Sequence, residues 1–254
     1  MTDRERIKRA FREYTDHYDP SDVKISLKID HTYRVAENAE VIAQDLGLDE
    51  QGIFLAFSMG MLHDFGRFEQ VKKYGTFIDR KSVDHAELGA DLLFIDGHIL
   101  DFFDKDDLDE ATASLMEKVI RLHNKLDLPN ELTKEEALYC NIIRDADKID
   151  IFRVLSEIEY EDGKEGEKRP SHDGARDSIM ECVLQHRCVP RIDERTEFEV
   201  WVSRYCMAFE LFFPISKKIT GQQGCLAKIL QRPTKTQKEK EQMDIVLSEL
   251  SYYM

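Results

Sequence analysis

The sequence has no C-x-x-C pair, and its five cysteines (Cys140, Cys182, Cys188, Cys206 and Cys225) are odd in number. That argues against a disulfide framework and fits reduced thiols in the cytosol. No run reaches the roughly 18 apolar residues that a membrane-spanning helix needs. The N-terminus, Met-Thr-Asp-Arg-Glu-Arg, is charged and has no apolar stretch behind it, so no signal peptide is expected and a cytoplasmic location is. Positive charge is short: 36 Lys and Arg against 51 Asp and Glu give a net charge of −15. A field of that sign repels nucleic-acid phosphates and anionic membranes, so neither is an expected partner. A small anionic ligand would have to meet a local positive spot, such as a metal site. Strand signals are scarce too. Arg187 to Ile192 and Glu197 to Val200 are the only candidates, and poor ones.

What the chain does have is charge and helical period. Its 254 residues can bury a core without disulfides, and the 34% charged fraction fits heavily charged helix surfaces. The pattern predicts an all-α protein. From Asp30 to Leu46, the residues His31, Val35, Ala39, Ile42 and Leu46 fall on one stripe. Gly47 is placed to end that helix and Asp49 to cap the next. The next helix carries Ile53, Phe57 and Met61 and ends near His63–Asp64. A cation-bearing loop is expected from Gly66 to Asp84. His85 opens a short helix with Leu88, Leu92 and Leu93 inward, and Asp109 to His123 reads as another. Thr133 and Glu136 form a capping-box pattern ahead of a helix on which Cys140, Ile143, Asp147, Ile151 and Val154 share a stripe.

Three parts are expected: an N-terminal helical extension (1–24), a core (25–155) and further C-terminal helices (156–254). Tyr160 to Asp177 reads as a long loop covering the cleft. Phe198, Val202, Tyr205, Phe209 and Phe212 keep helical spacing, as core or as a subunit interface that would allow a homo-oligomer. Arg232 to Gln242 is polar, and Gln242 to Tyr253 is the last helix.

One residue set stands out: His31, His63–Asp64, His85, His123 and Asp147. Each sits on or at the end of a predicted helix, mostly on the apolar stripe. Burying such groups without partners is costly. Any one histidine alone reads as an ordinary core or surface side chain; the joint placement points to metal. Imidazole and carboxylate donors suit Mn, Fe, Co, Ni or Zn, and do not select sharply among them. The consecutive pair His63–Asp64 can turn into one cavity where a helix unwinds, a break that Gly66 permits. Asp64, with two oxygens, can bridge two metals. Asp145 competes with Asp147 for the last place; Asp147 lies on the stripe and Asp145 nearly opposite, although Leu138 and Ile142 on Asp145's side point to a helix buried all round. The remaining histidines, His17, His98, His172 and His186, fit no spacing and read as surface or structural.

These residues resemble the HD superfamily of phosphohydrolases, whose pattern is a His, a His-Asp pair and a later Asp on a helical core. The stretches MLHDFGR, DHAELGADLL and DADKID are similar to it as well, over roughly Ile25 to Val154. In binuclear members two more histidines lie between the pair and the last Asp, where His85 and His123 stand. The resemblance implies two divalent metal ions (Mg also being possible), held by His31, His63, Asp64, His85, His123 and Asp147. It implies hydrolysis of a small phosphate ester, a nucleotide or another phosphomonoester or diester, by metal-activated water. Asp64 would bridge and act in catalysis. Arg67, where several relatives carry Lys, and Lys148 would meet the phosphate oxygens, whereas Lys72 and Lys73 read as surface charge. An alternative on the same scaffold is a di-iron oxygenase similar to the inositol oxygenases. The Gly-Tyr-Pro mark of the cyclic-dinucleotide branch is absent.

Overall fold

Aspartates set where many of the helices begin. In the computed structural model, which describes residues 3–157, 172–190, 192 and 194–253, Asp3, Asp22, Asp49, Asp84 and Asp109 each accept backbone N–H bonds at a helix start. Part of the acidic excess is therefore capping chemistry. Among the described residues every regular element is helical, and no helix is long and apolar enough to cross a membrane. The chain divides into two units, Met1–Asp147 and Lys148–Met254.

The first unit holds α1 (Arg4–Thr15), α2 (Val23–Asp45), α3 (Glu50–Leu62), α4 (Gly66–Tyr74), α5 (His85–Ala90), α6 (Ile99–Phe102), α7 (Glu110–Leu122) and most of α8 (Lys134–Glu157). α2 and α3 form a hairpin. Gly47, at φ +72°, ends α2. Its N–H bonds Gln44 O at 3.0 Å and the Leu48 N–H bonds Ala43 O at 3.2 Å, the paired closure that satisfies the last carbonyls. Where the two helices cross, a Cβ on Gly60 would lie 2.7 Å from Ala36 Cα. Only glycine allows that approach, three residues before His63 and one and a half turns after His31.

The expected loop from Gly66 to Asp84 is instead a helix, α4, followed by irregular chain with one 3₁₀ turn at Asp79–Lys81. Phe68 and Val71 at helical spacing are buried, and Gly75 at φ +65° closes the helix behind Lys72 and Lys73. The basic residues hid an amphipathic turn. Gly66 does not serve as a flexible break, because the turn His63–Phe65 precedes it and α4 starts on it. Its missing Cβ lets α4 meet α5: a Cβ there would lie 2.6 Å from Gly89 N. α1 braces the same turn, with Tyr14 stacked on Phe65 at 3.8 Å and its hydroxyl donating to Phe65 O at 3.2 Å.

One other expectation shifts by local geometry. After α5 the chain makes a π turn at Asp91–Ile95, which changes the phase, so Leu93 is buried while Leu88 and Leu92 are only half-buried. The Thr133–Glu136 capping box of α8 forms with both reciprocal bonds, at 3.2 and 2.7 Å. Between Tyr139 and Ala146 nearly every residue of α8 is buried, on all sides of the helix.

The second unit contains α9 (Asp177–Leu184), α10 (Glu197–Tyr205), α11 (Pro214–Gln223), α12 (Cys225–Leu230) and α13 (Gln237–Leu250). Its core includes Ile179, Val183, Val202, Tyr205, Leu226 and Val246. Neither strand candidate is one. Glu197–Val200 opens α10, because Thr196 and Glu199 form a complete capping box, and the described part of Arg187–Ile192 is irregular. A 3₁₀ turn at Cys206–Glu210 rotates the chain, so Leu211 is buried and Phe212 is 64% exposed, against the predicted stripe. α13 starts at Gln237 instead of Gln242, capped by Thr236, and Ser251–Tyr253 is a 3₁₀ turn. Of the expected long loop, residues 160–171 lie outside the described residues; His172 to Arg176 are without regular structure, and Asp177 opens α9.

Candidate metal centre

α2, the turn after α3, the start of α5, the end of α7 and the middle of α8 deliver six side chains to one place. Their donor atoms form two triads, His31–His63–Asp147 and Asp64–His85–His123, with all donors in each within 4.8 Å of one another. All are buried except Asp147, whose side chain is 17% exposed and marks the open side.

Asp64 joins the triads because its two oxygens face different ways. Oδ2 lies 3.4 Å from His63 Nε2 and 3.6 Å from His31 Nε2. Oδ1 lies 3.3 Å from His85 Nε2 and 3.7 Å from His123 Nε2. On the first side, Asp147 Oδ1 is 3.1 Å from His31 Nε2 and 3.8 Å from His63 Nε2.

The outer nitrogens settle the tautomers. His63 Nδ1 donates to Gly60 O and His123 Nδ1 to Ile120 O, both at 2.7 Å; His85 Nδ1 donates to Asp79 at 2.8 Å. Each neutral ring has one N–H, so in all three the inward Nε2 carries a lone pair. Yet His85 Nε2 and His123 Nε2 are 3.1 Å apart. Two lone pairs at that distance repel unless a cation or a proton lies between them. Asp64 Oδ1 and His63 Nε2 are likewise buried without a hydrogen bond. These donors fit a divalent metal, with neutral imidazole and carboxylate as ligands.

Electrostatics agree with that donor set. Burial pushes His85 down to about 4, against the pull of Asp79 and Asp64, so it is neutral at pH 7. Burial works against charge on Asp64, but the Lys28 ammonium outweighs it and holds the carboxyl well below its usual range. For Asp147 burial is likewise outweighed, chiefly by the hydrogen bond from His31.

Two cations stand beside Asp64. Lys28, about one turn before His31 on α2, pairs with Oδ2. Arg67 Nε is 3.4 Å from Oδ1, while its Nη1 donates to Gln70, Phe77 O and Asp79 at 2.8–2.9 Å. Both cations lie over the half-buried ring of Phe77, at 5.7 and 5.6 Å from its centroid.

Of the other residues singled out in the sequence, Lys148 follows Asp147 on α8 and its ammonium is 3.2 Å from Glu210. Asp145 is buried on the same helix and is not among the converging donors. Lys72 and Lys73 are exposed and pair with Glu69. His17, His98, His172 and His186 bond Tyr14 O, Asp101, Glu199 and Glu249. A third grouping of possible donors, Asp79–Asp84–His85, is already engaged: Asp84 caps α5 and pairs with Lys125 at 2.7 Å.

Sequence reasoning missed Lys28 and Asp79. Lys28 carried a faint signal, being on the His31 face of α2. Asp79 carried none, since a residue on a single 3₁₀ turn has no periodicity to read.

Among family models, HD domain matches residues 29–151. Comparison with curated proteins and with solved structures gives no match.

Proposed function

We propose, from the premise that residues 29–151 are an HD domain, of a superfamily of metal-dependent phosphohydrolases, that this chain hydrolyses a small phosphate ester at a centre for two divalent metal ions. The observation that carries the reading is the pair of inward lone pairs on His85 and His123 at 3.1 Å, in a triad that shares Asp64 with the other histidines.

When bound, divalent metal supplies Lewis-acid charge and lowers the pKa of water. The chain's residues do the rest. His31, His63 and Asp147 would hold one ion and His85 and His123 the other, with one oxygen of Asp64 for each. The outer hydrogen bonds of His63, His85 and His123 fix those rings before an ion arrives, so little reorganisation opposes binding. Lys28 and Arg67 would take the non-bridging phosphate oxygens, Lys28 as a mobile point charge and Arg67 as a fixed fork. Lys148 is the third candidate for that task. Asp147 is on the side from which a substrate can enter.

The net charge of −15 supports a small substrate, met by bound metal with Lys28 and Arg67, over a nucleic-acid polymer or a membrane. The same six donors would also serve a di-iron oxygenase. Lys28 and Arg67 beside Asp64 favour the phosphate reading, because an uncharged substrate has no use for two cations there.

Metal analysis of the purified protein, followed by a phosphate-release screen over nucleotides, phosphomonoesters and cyclic diesters, tests this. Asp64→Ala should abolish metal binding and turnover together. Unchanged turnover in a folded Asp64→Ala variant refutes the reading, and oxygen consumption without phosphate release moves the chain to the oxygenase class.

A further inference from the structure

Asp79 ties the second triad to the cation beside it. It opens the 3₁₀ turn between α4 and α5, and its one carboxylate accepts from three side chains. His85 Nδ1 reaches both oxygens, at 2.8 and 3.0 Å. Arg67 Nη1 and Gln70 Nε2 each reach Oδ1 at 2.9 Å. Gln70 is fully buried and completes the frame: its Oε1 accepts from Arg67 at 2.8 Å, and its Nε2 also meets Ser82 Oγ and Val83 O at 2.9 and 3.0 Å. Asp79 thus sits in a half-buried network that locks its partners.

We infer that Asp79 is a positioning residue with two loads: it holds His85 in the tautomer and ring orientation that present Nε2 to a metal, and it holds Arg67 in place beside Asp64. A neutral imidazole has one N–H, and a carboxylate at Nδ1 claims it. That leaves the lone pair on Nε2, facing His123, and raises its basicity as a ligand. The same carboxylate pins Nη1 of Arg67, so the Nε edge is turned toward Asp64 Oδ1 at 3.4 Å. Nothing comparable links Asp79 to His31, His63 or Asp147. Loss of Asp79 should therefore weaken one half of the centre and the anion contact together, and spare the other half. The His85 load rests on metal binding alone. The Arg67 load rests on the phosphate reading proposed above.

The test uses the full chain, with Mn²⁺ as one probe and inorganic phosphate as the other. Calorimetric titration of the wild type should show two Mn²⁺ sites. Asp79→Asn and Asp79→Ala should weaken one site about 10- to 100-fold, leave the other within about threefold, and weaken phosphate binding to the Mn²⁺-loaded protein. Arg67→Ala should weaken phosphate and leave both Mn²⁺ sites. Asp79→Glu should recover part of the loss. Nitrogen-15 spectra of the metal-free protein give a readout that a general packing defect would not move: His85 should carry its proton on Nδ1 in the wild type and become a tautomer mixture in Asp79→Ala.

Two Mn²⁺ sites unchanged within twofold in a folded Asp79→Ala variant overturn the inference. So does a wild-type His85 protonated on Nε2, or a wild type with one Mn²⁺ site. If Asp79 controls one Mn²⁺ site but phosphate neither binds nor is released from esters, the phosphate reading fails and the His85 load stands. If esters are cleaved and Asp79→Ala changes neither probe, the reading stands and the inference fails.

Discussion

Gly66→Ala sets two effects against each other. Replacing a helical glycine by alanine ordinarily stabilises a protein by about 0.5–1 kcal/mol, through the unfolded chain and helix propensity. Here the new methyl would collide with His85 O and lie 2.6 Å from Gly89 N, where ordinary contact begins near 3.4 Å. α4 and α5 must separate by at least roughly 0.8 Å, the difference between those two values, and by more to clear His85 O. Overpacking of that kind costs about 1–3 kcal/mol, so the net expectation is a loss of about 1–2 kcal/mol. The separation also acts on the site, because Asp64 stands two residues before Gly66 and His85 opens α5, with 3.3 Å between their facing atoms. Metal–ligand distances tolerate only about 0.2 Å, so the second-triad metal should be lost before the fold is. Denaturant unfolding and Mn²⁺ titration of the same preparation check both arms. Gly89→Ala, whose methyl would lie 2.9 Å from Gly66 N, should show the same sign with smaller size. A Gly66→Ala variant that is more stable than the wild type and binds two Mn²⁺ ions normally would refute the reasoning.

Other expectations follow from the same geometry. His123→Ala should remove one metal ion and leave the His31 triad able to hold the other, whereas His31→Ala should do the reverse; equal loss of both from either variant, by metal analysis, contradicts a divided centre. Lys28→Met should raise the KM for a phosphate ester more than it lowers kcat, since in the proposed role the ammonium would meet the substrate and not the attacking water; an unchanged KM removes Lys28 from the site. In the second unit, Glu199 is held at about 2, burial being outweighed by Arg176, the Thr196 and Arg176 amides and His172. A depressed carboxylate stabilises the fold above its unfolded value near 4.5 and loses that contribution as pH falls toward 2. The contribution is about 3 kcal/mol at ~1.4 kcal/mol per pH unit, and partial exposure of Arg176 lowers it to about 2 kcal/mol. Urea unfolding at pH 7 and pH 3 should show a smaller pH difference in Glu199→Gln than in the wild type.

The convergence of the candidate metal-binding residues was legible in the sequence because each histidine or aspartate fell at a helix position that tertiary packing had to bury. His31 on the stripe of α2, His63–Asp64 at the end of α3 and Asp147 on α8 are local facts that periodicity can read. The Gly47–Asp49 boundary and the Thr133–Glu136 box were equally local. What stayed hidden depends on contacts distant in sequence. α4 was masked by its own lysines. Asp79 matters only because the chain folds back to bring it against His85 and Arg67. Gly66 looked like a hinge because flexibility is the commoner reason for a glycine, while its real constraint, the backbone of Gly89, is 23 residues away. In the second unit the strand readings failed because the capping bonds of Glu199 outweigh the β propensity of Phe198 and Val200.

Anomalous diffraction from crystals of the full chain grown with Mn²⁺ tests the two-metal centre most directly. Two peaks should appear, one within bonding distance of His31, His63 and Asp147 and the other of His85 and His123, with one oxygen of Asp64 reaching each. A single peak, or metal bound without Asp64, would contradict it.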